Sequence, residues 1–238
     1  MSSLTLIRHG QATAFAHDTD QLSPLGAQQA RELGKFWAGN GVAFDEVYSG
    51  SLIRQRRTAA IVGEALSAAH RPWPQLHVHP DFNEYDGDGI VKLLAPALQQ
   101  ENPAFAKLVL AAREAAHGPD RNRHFQRMFE VVVARWLSGE LSAPEVEPWV
   151  AFRDRVRGGL RKITASGGNR RVALFTSGGV IGVMVQSALH APDVSAVQLN
   201  WRVRNCSLTE FVFSENRLSL DSFNAIPHLV DSTLHSFR

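Results

Sequence analysis

Cysteine is almost missing from this chain, with Cys206 the one thiol in 238 residues. An internal disulfide is therefore excluded, as is a zinc site built on clustered cysteines, and the chemistry suits a reducing compartment. Long apolar runs are missing too. No stretch approaches the roughly 20 residues needed to cross a bilayer. The opening segment, Met1-Ser2-Ser3-Leu4-Thr5-Leu6-Ile7-Arg8, lacks the positive start and the apolar length of a signal peptide. The expectation is a cytoplasmic protein without a membrane role. Charge of one sign is not in excess either: 25 Lys and Arg against 23 Asp and Glu leave +2. That is too slight a basicity to suggest a nucleic-acid partner. Internal repeats, low-complexity tracts and domain linkers are absent as well.

What is present is ordinary for a folded globular chain, with 44% hydrophobic and 20% charged residues. The length suffices for one α/β domain, taken as 1–238. Leu4 to Ile7 reads as a buried strand. Ser23-Pro24 supplies an N-cap and a proline at the first helical position, with Gly39-Asn40-Gly41 as the stop. Phe44 to Ser49 reads as a second strand, and Ser51 as the cap of the helix after it. Alternating strands and helices predict a three-layer sandwich, a mostly parallel central sheet flanked by helices, with ligands beyond the carboxyl ends of the strands. Leu76 to His79 reads as an edge strand. From about 86 to 148 the pattern is a helical insertion, and the rest of a substrate must meet walls there that the sequence does not specify. A helix over Trp149 to Thr164, a strand over Arg171 to Phe175, a helix over Val180 to Leu189, and strands over Cys206 to Phe213 and Leu218 to Phe223 complete the reading.

His9 stands at a strand's carboxyl end, between Arg8 and a glycine that lets the backbone approach a ligand. An imidazole there can attack phosphorus and hold the phosphoryl group covalently. Arg54, Arg56 and Arg57 fall in the first turns of the second helix, where the macrodipole disfavours cations. A bound anion resolves that conflict, because guanidinium forks and free helix N–H groups both suit phosphate oxygens.

Leu6-Ile7-Arg8-His9-Gly10-Gln11 resembles the hallmark of the histidine phosphatase (phosphoglycerate mutase-like) superfamily. Leu22-Ser23-Pro24-Leu25-Gly26-Ala27-Gln28-Gln29-Ala30 and Ser51-Leu52-Ile53-Arg54-Gln55-Arg56-Arg57-Thr58-Ala59 resemble its next two motifs. The resemblance implies that His9 accepts the phosphoryl group, that Arg8 and Arg54 hold it, and that Glu84 of Phe82-Asn83-Glu84 protonates the leaving oxygen. A general acid needs a raised pKa, and acidic neighbours such as Asp86 push that way. The substrate implied is a phosphate monoester, on a small molecule or a phosphoprotein, with no cofactor and no metal.

Leu174-Phe175-Thr176-Ser177-Gly178-Gly179-Val180-Ile181 resembles the superfamily's fourth motif, but Ser177 stands where a second histidine is usual. Serine can still donate one hydrogen bond, and the N–H groups from Gly178 onward remain for the phosphate. Losing a charged donor typically lowers the rate about a hundredfold. Arg202, Arg204 and His17 are the replacement cations to consider. Two other outcomes follow from the same residues: a catalytically weak or silent member that binds phosphorylated ligands or a partner, and mutase-type phosphoryl transfer. A serine hydrolase built on Ser177 is disfavoured, because Phe175 occupies a place where the nucleophile elbow needs glycine. A calcium loop at Glu84-Tyr85-Asp86-Gly87-Asp88-Gly89 lacks its closing glutamate at Ala95. His77, His79 and Asp81 are ligand types for a metal, but an exposed edge strand accounts for them.

Overall fold

In the computed structural model, which describes residues 1–13, 19–165, 168–214 and 217–237, the chain divides into two compact units. The first comprises Met1–Glu84 and Arg155–Arg238, the second Tyr85–Asp154. The first unit is built on one six-stranded sheet. Its strands, in chain order, are β1 (Ser2–Arg8), β2 (Glu46–Ser49), β3 (Leu76–Val78), β4 (Arg171–Thr176), β5 (Leu208–Ser214) and β6 (Arg217–Ala225). They lie in the order β3-β2-β4-β1-β5-β6. The pairs β1–β4, β4–β2 and β2–β3 are parallel, whereas β1–β5 and β5–β6 are antiparallel. This is the α/β class with a mostly parallel sheet that the alternating pattern predicts.

β1 lies inside the sheet, which is why Leu4, Leu6 and Ile7 are fully buried and form a run without alternation. On one face Ile7, Val47, Ala173 and Phe175 pack against Ala30, Leu33 and Trp37 of α1 (Pro24–Gly39) and Ala59, Val62 and Leu66 of α2 (Ile53–Ala68). In the second unit, α3 (Gly87–Glu101), α4 (Pro103–Glu114) and α5 (Arg121–Ser138) lead to the start of α6 (Trp149–Thr164). Tyr85, Trp136, Trp149 and Phe152 form an aromatic core there, with Trp136 and Trp149 centroids 5.5 Å apart. α7 (Gly178–Ala188) is buried all round through Gln186, so its sequence carries no amphipathic stripe. A further helix, α8 (Asp193–Asn200), follows it and is not expected from the sequence.

Where local chemistry decides an element boundary, expectation and structure coincide. Ser23 accepts from Gly26 N at 3.0 Å and Pro24 opens α1. Where a distant partner competes, they part. Ser51 is not the cap of α2: Leu52 holds that place, because Ser51 N and Oγ are both bonded by the Asn83 side chain. Cys206 lies outside β5, which begins at Leu208, and has a left-handed φ of 59°.

The register aligns Arg8 with Thr176 and Ser49 with Phe175. The turns that follow β1, β2 and β4 therefore leave the sheet side by side, and they carry His9, Ser51 and Ser177.

Candidate active site

His9 is 6% exposed at the end of β1. Its backbone is fixed on both sides: N–H donates to Thr176 O at 2.9 Å, and its carbonyl accepts from Cys206 N and Asn205 Nδ2, each at 3.3 Å. Gly10 N donates to Thr58 Oγ1, itself bonded to Arg54 O. A Cβ on Gly10 would run into the Gly26 carbonyl, so the approach of α1 to this turn requires glycine.

The imidazole has a defined tautomer. Nδ1 is 2.7 Å from Gly10 O, which can only accept, so Nδ1 carries the hydrogen. Nε2 accepts from Arg54 Nε at 3.1 Å and therefore presents a lone pair. The pKa of His9 is held well below the usual 6.5, first by burial, then by the Arg54 and Arg8 charges, against an opposing bond to Gly10. His9 is a neutral, oriented nitrogen base.

Arg54 projects from the first turn of α2, and the anion anticipated at that helix start is an internal one. Asp20 Oδ1 accepts from Arg54 Nη1 at 2.8 Å and from Arg54 N at 3.4 Å, and Asp20 Oδ2 accepts from Ile53 N at 2.8 Å. A carboxylate thus uses the same donors that a phosphate group needs. Arg56 is exposed, and Arg57 is exposed and pairs with Glu64.

Arg8 Nη1 donates to Val203 O and to Phe237 O, the latter at 2.8 Å. Nearby, Gln29 Nε2 donates to Leu234 O at 2.7 Å and Ser236 Oγ at 2.9 Å, while Gln29 Oε1 accepts from Gln11 N. Ser236 Oγ in turn donates to Asn205 Oδ1. Residues 234–237 are thereby tied to the His9 turn through Arg8, Gln29 and Asn205. Arg202 and Arg204 place their guanidinium carbons 5.9 and 5.5 Å from the Phe237 ring centroid. His17 lies outside the described residues.

Across the sheet end, Ser177 is fully buried at the N-cap of α7, yet its side chain makes no cap hydrogen bond. The Gly179 N–H donates instead to Glu84 Oε2 at 2.9 Å. Ser177 Oγ accepts from Gln55 Nε2 at 2.8 Å. Gly178 cannot be enlarged without meeting Asn200 Oδ1. The segment before Glu84 is pinned by Arg155 Nη1, which donates to Asp81 O and Asn83 O, and by Asn83 on Ser51.

The structure thus brings His9, Arg54, Ser177, Gly178 and Glu84 to the turns at one sheet end, and points one Arg8 nitrogen at two carbonyl groups. His77 is exposed on the edge strand β3 and lies against Tyr48, while His79 accepts from Asp81 N. Among the described residues no cluster of His, Cys, Asp or Glu is arranged to hold a metal ion, and no helix is long and apolar enough to cross a membrane. Asp20, Gln55, Gln29, Asn83 and Asn205 are not recognisable as site residues from the sequence. For Asp20 there was a signal, the cationic helix start that calls for an anion, but no local rule says which carboxylate answers it.

The sequence model of the histidine phosphatase superfamily (branch 1) matches residues 4–132 and 111–226. A 2,3-bisphosphoglycerate-dependent phosphoglycerate mutase of Nitratidesulfovibrio vulgaris is 33% identical over 96 residues, 38% of this chain and 37% of the relative. The broad-specificity phosphatase YOR283W of Saccharomyces cerevisiae is 37% identical over 65 residues, 25% of this chain and 28% of its own. The chain thus spans about a third of the length of these relatives. Among solved structures, the alpha-ribazole phosphatase of Shigella flexneri superposes with a TM-score of 0.63 at 20% identity, over 94% of this chain and 96% of that one. At that identity the likeness concerns the fold.

Proposed function

Because the chain belongs to the histidine phosphatase superfamily, whose members are phosphatases and mutases, we propose that it is a phosphomonoesterase working through a phosphohistidine on His9. The observation that carries this reading is the imidazole itself: neutral, with Nδ1–H committed to Gly10 O and the Nε2 lone pair facing Arg54.

In the proposed reaction Arg54 turns from Nε2 onto the phosphoryl oxygens, joined by Arg8, and exchanges its Asp20 contact for the substrate. The Nε2 lone pair attacks phosphorus in line. The P–O bond to the leaving group breaks, its electron pair stays on that oxygen, and Glu84 delivers the proton. A water molecule then attacks the phosphohistidine, the Glu84 carboxylate takes its proton, and the N–P bond breaks to release phosphate and restore the imidazole. Donors at the start of α7, Ser177 and the Gly178 N–H, stabilise the equatorial oxygens. The names of the relatives, a phosphoglycerate mutase and a broad-specificity phosphatase, support small phosphate monoesters as the substrate class.

The test is incubation with a panel of phosphate monoesters, following phosphate release and an acid-labile phosphoenzyme. Turnover and labelling are expected in the native protein, with both lost in His9→Ala. Intact phosphate-ester binding with no turnover and no phosphoenzyme on any substrate would instead make this a phosphate-binding protein.

A further inference from the structure

Ser177 does not act alone, and its partner is Gln55, a helix residue that nothing in the sequence marks. Gln55 is fully buried. Its amide orientation follows from its neighbours: Phe82 O, 3.0 Å away, can only accept, and Leu52 N, 3.3 Å away, can only donate. The nitrogen must therefore face Phe82 and the oxygen Leu52. That same nitrogen, with its second hydrogen, reaches Ser177 Oγ.

This fixes what Ser177 can do. A hydroxyl at a helix N-cap ordinarily accepts from the N–H groups of the first turn. Here the Gly179 N–H is taken by Glu84, and the Ser177 oxygen is taken by Gln55. Its own hydrogen is bonded to no acceptor among the described residues, although the side chain is wholly buried. Ser177 follows directly on the aligned pair Arg8 and Thr176, as does His9.

We infer that Gln55 is a positioning residue that turns the Ser177 hydroxyl into a dedicated donor for a phosphoryl oxygen, the pair together standing in the place of an imidazole. The inference rests on the phosphatase reading above. Arg54 and Gln55, adjacent on α2, then serve the two sides of one phosphoryl group, the first at His9 and the second through Ser177. Space is filled accordingly: a Cβ on Gly50 would collide with Gln55 Oε1, so the amide occupies the site tightly. Ser177 Oγ lies 2.8 Å from the Gln55 amide nitrogen, so an imidazole at 177 that keeps the direction of this side chain would meet that amide.

The experiment compares Ser177→Ala, Gln55→Leu, the double variant and Ser177→His in the full chain. It reads kcat and KM together with binding of vanadate, a trigonal-bipyramidal mimic, and of inorganic phosphate. Ser177→Ala and Gln55→Leu are each expected to lower kcat about ten- to a hundredfold with KM little changed. Vanadate affinity should fall in parallel and phosphate affinity much less, and the double variant should be no worse than Ser177→Ala. Ser177→His should lower activity, and Gln55→Ala added to it should restore part of the loss. Unchanged kcat and vanadate affinity in Ser177→Ala, or fully additive effects in the double variant, would overturn the inference. Should Gln55→Leu fail to fold, the Ser177→Ala and Ser177→His arms still decide. Should the native protein turn over no ester, the phosphatase reading fails separately, and the vanadate-to-phosphate comparison still tests the pair.

Discussion

The electrostatics of His9 arise from burial and from two guanidinium groups, Arg8 next to it in the sequence and Arg54 far from it. Arg54 is 45 positions away, and its approach to Nε2 depends on the fold, which bonds the turn after β1 to α2 through Gly10 N and Thr58 Oγ1. The consequence is a nitrogen that stays unprotonated into weakly acidic solution. Since its folded pKa is held well below 6.5, the ring proposed as nucleophile should gain its proton only at a lower pH than a free imidazole does, which places the acid limb of activity on that side. Arg54→Gln removes the second-largest cause of the depression while burial, the largest, persists. By NMR titration of the labelled ring, the His9 pKa should rise in that variant and still remain below 6.5. An unmoved or lower value would show that the guanidinium does not set it. Gln55 illustrates a limit of legibility. A glutamine in a helix start reads as a solvated polar residue, and only the fold reveals that it is sealed between Phe82 and Ser177.

The start of α2 is the element in which sequence pattern and structure answer one another most directly. The run Arg54, Arg56, Arg57 at a positive helix end predicted an anion, and the structure supplies Asp20. In the proposed reaction this carboxylate is the competitor of the phosphoryl group for Ile53 N, Arg54 N and the Arg54 guanidinium. Asp20→Asn keeps a hydrogen-bond acceptor while removing the charge. Titration calorimetry should show inorganic phosphate binding several-fold more tightly to Asp20→Asn than to the native chain, and Arg54→Ala should bind it poorly in either background. Weaker binding in Asp20→Asn would mean that the carboxylate aligns Arg54 instead of competing for it. Helix starts also show why boundaries were unevenly legible. Capping by Ser23 depends on residues three positions apart, and it was readable. Ser51 loses its expected role to Asn83, 32 positions on, which no local rule foresees.

At the scale of the whole molecule, pH enters through buried imidazoles. His228 is 6% exposed, and burial lowers its pKa to about 4. Both His228 and His9 bind protons more readily in the unfolded chain, so their contribution to stability is complete above about pH 6.5 and is lost as pH falls through the folded-state value. For His228 the difference is on the order of 3 kcal/mol once the pH is below about 4. Urea unfolding between pH 7 and 4 should show a shallower loss in His228→Phe than in the native protein, and parallel curves would count against this account. The sheet and its flanking helices were legible because alternation and apolar runs are periodic signals. The network around the His9 turn was not, since it joins Gln29 to Leu234 across 205 positions. That network also bears on how the molecule comes into being. Contacts between such distant segments close long loops, whose entropic cost comes before any reward, and they form late in folding. The β1–β4 pairs, such as Ser3 with Arg171, are themselves far apart in the sequence, so the turn that carries His9 is completed only when the parallel core and residues 234–236 have both come together.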